Sequence, residues 1–226
     1  MKVACILLTL DRVELTKKVI IQNFYNSGLD ADVFLIDNGS TKENFKAVVN
    51  HYPYFKKIYQ FKKNKGIATA INKGIELAKG YDAFVTLAND ILMPQNWLIN
   101  MVNSVKEDTG CIGIHCVEWL PELVDGYHYS QSVFGNVLIP TKALKIVGKF
   151  NTDFDPYGMQ DADYCYRLVK SGLKNYYLPN LKSEHIGHDV GDGSEYRRMK
   201  DEGLNKSGEI WAKAIEHYEK NNNYYL

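Results

Sequence analysis

Short apolar runs and helical stripes alternate through the first 117 residues. VACILLT (3–9), DVFLID (32–37), KIYQF (57–61), AFVTL (83–87) and CIGIHCV (111–117) read as strands, most of them too continuously apolar to leave a face in water. Helix signals lie between them. Asp11 with Glu14 has capping-box spacing and opens a helix ending at Gly28, and Ser40 with Glu43 repeats the signal. Ile67, Ala70, Ile71, Gly74, Ile75 and Ala78 mark one face of a third helix, which stops at Gly80. Pro94 falls in the first turn of a fourth. Strands alternating with helices predict an α/β fold with a mostly parallel sheet covered on both faces.

The pattern changes after 117. Strand-like pieces occur in YHYSQSVFGNVLIP (127–140), followed by a short helix over Thr141–Val147 that Gly148 ends. A loop rich in Asp, Pro and Gly (151–159) leads to a helix over 160–171, then a strand KNYYLP (174–179). KSEHIGHDVGDGS (182–194) is loop-like and carries two histidines. Residues 207–221 form an amphipathic helix with Ile210, Trp211, Ala214, Ile215 and Tyr218 on one side. No repeat and no linker interrupts the chain, so one domain is expected.

Composition narrows the function. Lys+Arg 27 against Asp+Glu 27 gives no net charge, which disfavours nucleic acid as the main partner. Lys62, Lys63 and Lys65 are a solvated strand end, or a phosphate-facing cluster before a glycine. Cys5, Cys111, Cys116 and Cys165 contain no CxxC pair and read as reduced thiols of a cytoplasmic protein. A zinc site from Cys111, His115 and Cys116 fits no standard spacing. The N-terminal MKVACILLTLDR is better read as a first strand than as a signal peptide, because its apolar part runs straight into Asp11-Arg12. No run approaches the roughly 18 apolar residues that span a bilayer.

Ligands of open α/β sheets bind beyond the carboxyl ends of the strands. The residues there are Thr9 to Arg12, Asp37-Asn38, Asn64-Lys65-Gly66 and Asn89-Asp90. No GxGxxG follows the first strand and no GxxxxGK[ST] occurs, which disfavours a dinucleotide-binding domain and a P-loop NTPase.

Four stretches, in order, carry a resemblance. LIDNGSTKENF (35–45) is a strand ending in Asp before a Gly-Ser turn. NKGIATAINKGIELAKG (64–80) is an Asn-x-Gly helix start, LANDI (87–91) stands at a DxD position, and VGKFNTDFDPYGMQDADYCYRLVKSGLK (147–174) ends in an acidic segment and an Arg-containing helix. Together they resemble the inverting GT-A glycosyltransferases of family 2, of the rhamnosyl-, galactosyl- or glucosyltransferase kind. The resemblance implies a single GT-A domain over 1–226. It divides into a nucleotide-binding half (1–117), an acceptor and catalytic half (118–190), and a lid with a C-terminal helix (191–226). The implied reaction is metal-assisted transfer of a hexose from a nucleotide-diphosphate sugar to an acceptor hydroxyl.

The implied site follows residue by residue. Asp37 would meet the base, or else cap the turn at Asn38-Gly39, and Thr9, Asp11 and Arg12 would form the other wall, with Asp11 more a helix cap than a ligand. Asn38, Asn64 and Asn89 lie beside the donor. Gly66 would let the backbone approach a ligand at a helix N-terminus, which favours negative charge. Asn72 reaches the site or makes a contact within the fold. Gly135 allows close approach to the donor sugar, and Trp119, Tyr127 and Tyr129 are candidates to stack on a sugar. Ala88 replaces the first acid of the DxD triplet, leaving Asp90 as the metal ligand with His185, or His188, as the second. One carboxylate suffices for Mg²⁺ when phosphates and waters complete the shell, and an imidazole tilts the preference to Mn²⁺.

The base is Asp161 or Asp163, which lie about 200° apart on a helix. Arg167 one turn beyond Asp163 gives that residue an ion pair, so Asp161 is the expected base despite Gln160 in place of the usual Glu. Residues 189–200 read as a lid whose Arg197 or Arg198 closes over the diphosphate. The acceptor is open: a glycan, a lipid-linked sugar or another hydroxyl. The C-terminal helix could pair two copies or touch a membrane. The competing reading is a non-catalytic nucleotide- or sugar-binding module, favoured by Ala88 and Gln160.

Overall fold

The computed structural model describes residues 1–116, 119–187 and 195–226, the last stretch with side chains from 197 onward. The expected strands form as β1 (Val3–Thr9), β2 (Asp32–Asp37), β3 (Phe55–Gln60) and β4 (Ala83–Leu87), with α1 (Val13–Tyr25), α2 (Lys42–His51) and α3 (Ile67–Leu77) between them. A two-residue strand, β5 (Ile91–Leu92), then precedes α4 (Trp97–Asn103) and β6 (Thr109–His115). The second half contributes β7 (Leu123–Val124), β8 (Tyr127–Tyr129), β9 (Val137–Pro140), α5 (Thr141–Val147), α6 (Gln160–Lys170), β10 (Lys174–Lys182), β11 (Glu184–His185) and α7 (Glu195–Asn221).

Nine strands make one sheet in the order β3-β2-β1-β4-β9-β6-β10-β8-β7. β1 pairs in parallel with β2 and β4, β2 with β3, and β6 with β10, whereas β9 runs antiparallel between β4 and β6. One apolar layer packs α3, α5 and α6 on the sheet through Ile71, Val147 and Leu168; the other packs α1, α2 and α4 through Ile20, Val48 and Trp97. Burial on both sides explains the continuous apolar runs of β1 and β4.

Several local expectations are overturned by tertiary contacts. Neither capping box forms. Arg12 is the N-cap of α1 with a left-handed backbone and no side-chain cap, and Asp11 instead accepts from Thr41 N (3.1 Å) and Asn44 Nδ2 (2.7 Å) at the start of α2. Thr41, not Ser40, caps α2, because the Ser40 hydroxyl donates to Asp37. Pro94 precedes α4, which starts at Trp97. Residues 195–200 are the first turns of α7 rather than loop, and Arg197 pairs with Asp201. The apolar side of α7 packs on the chain itself, with Tyr218 buried and Trp211 against Phe154 and Tyr166. That packing accounts for its amphipathicity without a second copy. Among the described residues no helix is long and apolar enough to cross a membrane.

Candidate active site

A cavity of about 450 Å³ opens at the carboxyl ends of β1 and β4 and runs down between the sheet, α3 and α6. Of the expected donor residues, Thr9, Asn38, Asn64, Asn89 and Gly135 line it. Asp90, His185 and Asp161 line it as well. Residues as distant in sequence as Thr9 and His185 therefore share one space, because the strand-end loops converge there.

Asp37, at the end of β2, stands behind the cavity and does not line it. Its carboxylate is buried and accepts from Gly39 N, Ser40 N and Gln60 Nε2 through Oδ1, and from Thr9 Oγ1 (3.0 Å) and Ser40 Oγ (2.5 Å) through Oδ2. Five donors hold a single carboxylate and so fix the loop after β2 against β1. A base imide reaching Asp37 would have to displace one of them. Asn38 forms the adjoining clasp: its Nδ2 donates to Asn64 Oδ1 (2.8 Å) and its Oδ1 accepts from Lys65 N (2.9 Å).

Two expected contacts belong to the fold instead. Gly66 has φ 95°, and a Cβ there would lie 2.1 Å from Asp155 Oδ1. The close approach is thus made by Asp155, whose carboxylate accepts from Ala68 N (2.9 Å), Thr69 N (3.1 Å) and Thr69 Oγ1 (2.5 Å). The N-terminus of α3 is already neutralised by the chain's own acid, and burial pushes that acid's pKa up. Asn72 exchanges two hydrogen bonds with the backbone of Phe150, at 2.9 Å each, and does not line the cavity.

Asp90 sits in the turn between β4 and β5. α1 pins that turn from below: the buried Asn23 donates to Ile91 O and accepts from Met93 N. Asn136 Oδ1 accepts from Ala88 N (2.8 Å), so the residue that replaces the first acid of the triplet is held by its backbone. β5 pairs antiparallel with β11, placing His185 opposite Ile91. His185 Nε2 lies 3.5 Å from Asp90 Oδ1. Arg12 is not at the base wall: its Nη1 donates to Asp90 Oδ2 (2.9 Å) and its Nη2 to Gly187 O (3.1 Å). A Cβ at Gly187 would lie 2.3 Å from Asp90 Oδ2, so only glycine leaves room for this packing. His188 lies outside the described residues, as do 189–194.

Among the described residues no three acids, histidines or cysteines cluster as metal ligands. Cys111, His115 and Cys116 accordingly form no zinc site. Asp90 and His185 do fit a divalent cation as a two-residue half-site, an oxygen donor from the turn before β5 and a nitrogen donor from β11, once Arg12 gives up Asp90. A diphosphate would supply the remaining ligands.

Asp161 and Asp163 point to different environments, as their helical spacing predicts. Asp163 is fully buried; Arg167 donates to its Oδ2 through Nε and Nη2 (2.9 and 2.8 Å), and Tyr218 OH to its Oδ1 (2.7 Å). Arg167 further donates to Val147 O and Lys149 O. This network is structural. Asp161 is half-buried on the cavity, and desolvation pushes its pKa up to about 6, against the opposing backbone hydrogen bond from Ala162 N (3.0 Å). A carboxylate so tuned titrates near the range where a base works best. Gln160 accepts from Gly158 N (3.1 Å) and holds the loop before α6. Tyr157, on the same cavity, has its pKa pushed up to about 12 by burial and by the charges of Asp161 and Asp90. Cys111 also lines the cavity, and burial raises its thiol pKa.

Sequence reasoning did not single out Asp155, Tyr157, Asn136, Met199 or Lys200, although all five either line the cavity or hold its wall. Asp155 and Tyr157 fall in the Asp-, Pro- and Gly-rich loop, and Met199 and Lys200 in the segment read as a lid, but none was distinguished there from its neighbours.

A family model, "Glycosyl transferase family 2", matches residues 13–203. No curated protein matches significantly. Among solved structures the chain is similar to the mannosyltransferase PcManGT from Pyrobaculum calidifontis, in complex with GDP-Man and Mn²⁺. That pair has TM-score 0.69 and 18% identity, covering 84% of this chain and 58% of the other. It is also similar to GalNAc-T7 with UDP, GalNAc and Mn²⁺ (0.69, 14%, 82% and 44%) and to S. aureus TarS 1-349 (0.61, 14%, 81% and 59%). The chain spans about half the length of these structures, and at such identities the likeness is one of fold.

Proposed function

The chain belongs to glycosyl transferase family 2 and has the GT-A fold, and from that premise we propose that it transfers a hexose from a nucleotide-diphosphate sugar to an acceptor hydroxyl, with inversion. The observation that carries this reading is the half-buried carboxylate of Asp161, on the same cavity as Asp90 and His185. The acceptor oxygen attacks the anomeric carbon from the face opposite the diphosphate, Asp161 takes the hydroxyl proton, and the nucleoside diphosphate leaves. Thr9, Asn38, Asn64 and Asn89 bind the nucleotide and its ribose, with Asp37 bracing the wall from behind, and Gly135 borders the sugar. Asp90 and His185 would hold Mn²⁺ or Mg²⁺, which neutralises charge on the departing diphosphate. Arg12, released from Asp90, is then a second cation facing the same phosphates.

The test is turnover of UDP-, GDP- and dTDP-sugars with Mn²⁺, read as release of nucleoside diphosphate. One nucleotide class should be consumed, and D161N should lower kcat by about 10²–10⁴ while the donor still binds. Unchanged kcat in D161N contradicts the assignment of the base. The ion pair that occupies Asp90 favours one second reading, a nucleotide- or sugar-binding module without catalysis. Donor binding with no product under any condition selects it.

A further inference from the structure

None of the four cysteines serves the proposed reaction, yet two of them meet. Cys111 on β6 and Cys165 on α6 are 54 residues apart in sequence, and their Sγ atoms lie 3.7 Å from each other. Three features of the chain make that approach. Gly110 has no Cβ; one placed there would lie 2.5 Å from Asn175 Oδ1 and 3.2 Å from Leu168 Cβ, so α6 seats directly on β6. Asn175 pairs with Cys111 in the sheet, and its Nδ2 donates to Cys165 O (3.0 Å), which ties the two backbones together. Val133 N donates to Cys165 Sγ (3.3 Å) and holds that sulfur in place. Both thiols are shielded from bulk solvent but stand on the wall of the catalytic cavity. A reagent small enough to enter the cavity therefore reaches them. The other two cysteines are placed differently: Cys5 packs in the apolar layer on the opposite face of the sheet, and Cys116 is half-buried beside Gly135.

We propose that this pair is a modification site: hydrogen peroxide entering the cavity joins Cys111 and Cys165 as a disulfide, and the bond shifts Asp161 from its working position. One thiolate attacks peroxide, giving a sulfenic acid and the first water; the second thiol attacks that sulfur and expels another water. Two S–H bonds are lost and one S–S bond forms, and the two electrons and two protons end in water. The sulfurs must close from 3.7 Å to about 2.05 Å, which draws α6 toward β6. Asp161 precedes Cys165 by four residues on the same face of α6, so the pull is passed to the base. Burial raises the Cys111 pKa and keeps its thiolate scarce, so the pair stays reduced until an oxidant is supplied. The disulfide itself depends on no reading of function; its effect on turnover rests on the glycosyl-transfer reading.

The test treats the full chain with hydrogen peroxide, quenches it with catalase, then counts free thiols in denaturant and maps any linked peptides. The four thiols should fall to two, Cys111 and Cys165 should appear in one linked peptide, and dithiothreitol should restore all four. Release of nucleoside diphosphate should fall about a hundredfold on oxidation and return with dithiothreitol, and C165S should show no such loss. Four thiols after peroxide, or a link through Cys5 or Cys116, overturns the proposal. The thiol count on wild type decides this even where C165S fails to fold. A Cys111–Cys165 bond that leaves turnover unchanged overturns the control of Asp161. A linked pair in a chain that consumes no nucleotide sugar in either redox state keeps the site and removes the transfer reading. Turnover with all four thiols intact after peroxide does the reverse.

Discussion

Asp161 concentrates the conflict between stability and function in one side chain. Burial raises its pKa from the usual value near 4 to about 6. Below about pH 4 it is protonated folded or unfolded, so it costs nothing. As pH rises to about 6 the unfolded chain releases the proton while the folded chain holds it, and the fold loses stability. D161N removes that penalty. It should be more stable than wild type at pH 8, on the order of 2 kcal/mol, with the gain vanishing near pH 4; urea unfolding at both pH values checks this. The same titration predicts that kcat/KM falls below about pH 6 as the base is protonated. Asp163 is also pushed up by burial, but Arg167 and Tyr218 oppose that shift. R167M leaves its buried carboxylate with Tyr218 as its remaining side-chain partner and should cost about 3–5 kcal/mol, with nucleotide affinity of the folded fraction unchanged.

At the scale of elements, what could be read from the sequence was what is local. The main strands declared themselves as apolar runs, α3 through apolar periodicity, α5 and α6 through the glycines that end them, and the Asp163–Arg167 pair through its one-turn spacing. The caps failed where a side chain was recruited from elsewhere: Asp11 to α2, Ser40 to Asp37, and Asp155 to α3 across 86 to 87 residues. β5 and β11, two residues each, are too short to show a period, yet their pairing brings His185 to Asp90. Only the family resemblance could have suggested that partner. Asp155 supplies a direct check: D155A uncaps α3 and should lower stability by about 1–2 kcal/mol in denaturant unfolding. No loss would mean that the α3 N-terminus is satisfied some other way.

Over the whole molecule, one sheet carries the strand-end loops with Asn38 and Asp90, and α6 on its face carries Asp161. β9, inserted antiparallel between β4 and β6, sets Asn136 against Ala88. α7 crosses back to add Met199 and Lys200 to the cavity and Tyr218 to the Asp163 network. The long helix was visible only over its amphipathic second half, because its first turns are rich in charge. The central claim is that Asp90 anchors a cation that binds with a nucleoside diphosphate. Calorimetric titration of UDP, GDP and dTDP, each with Mn²⁺ and then EDTA, on wild type and D90A tests it most directly. The account predicts that one nucleotide binds with Mn²⁺, and that EDTA and D90A each abolish this binding. Equal binding by D90A, or by wild type in EDTA, would contradict it.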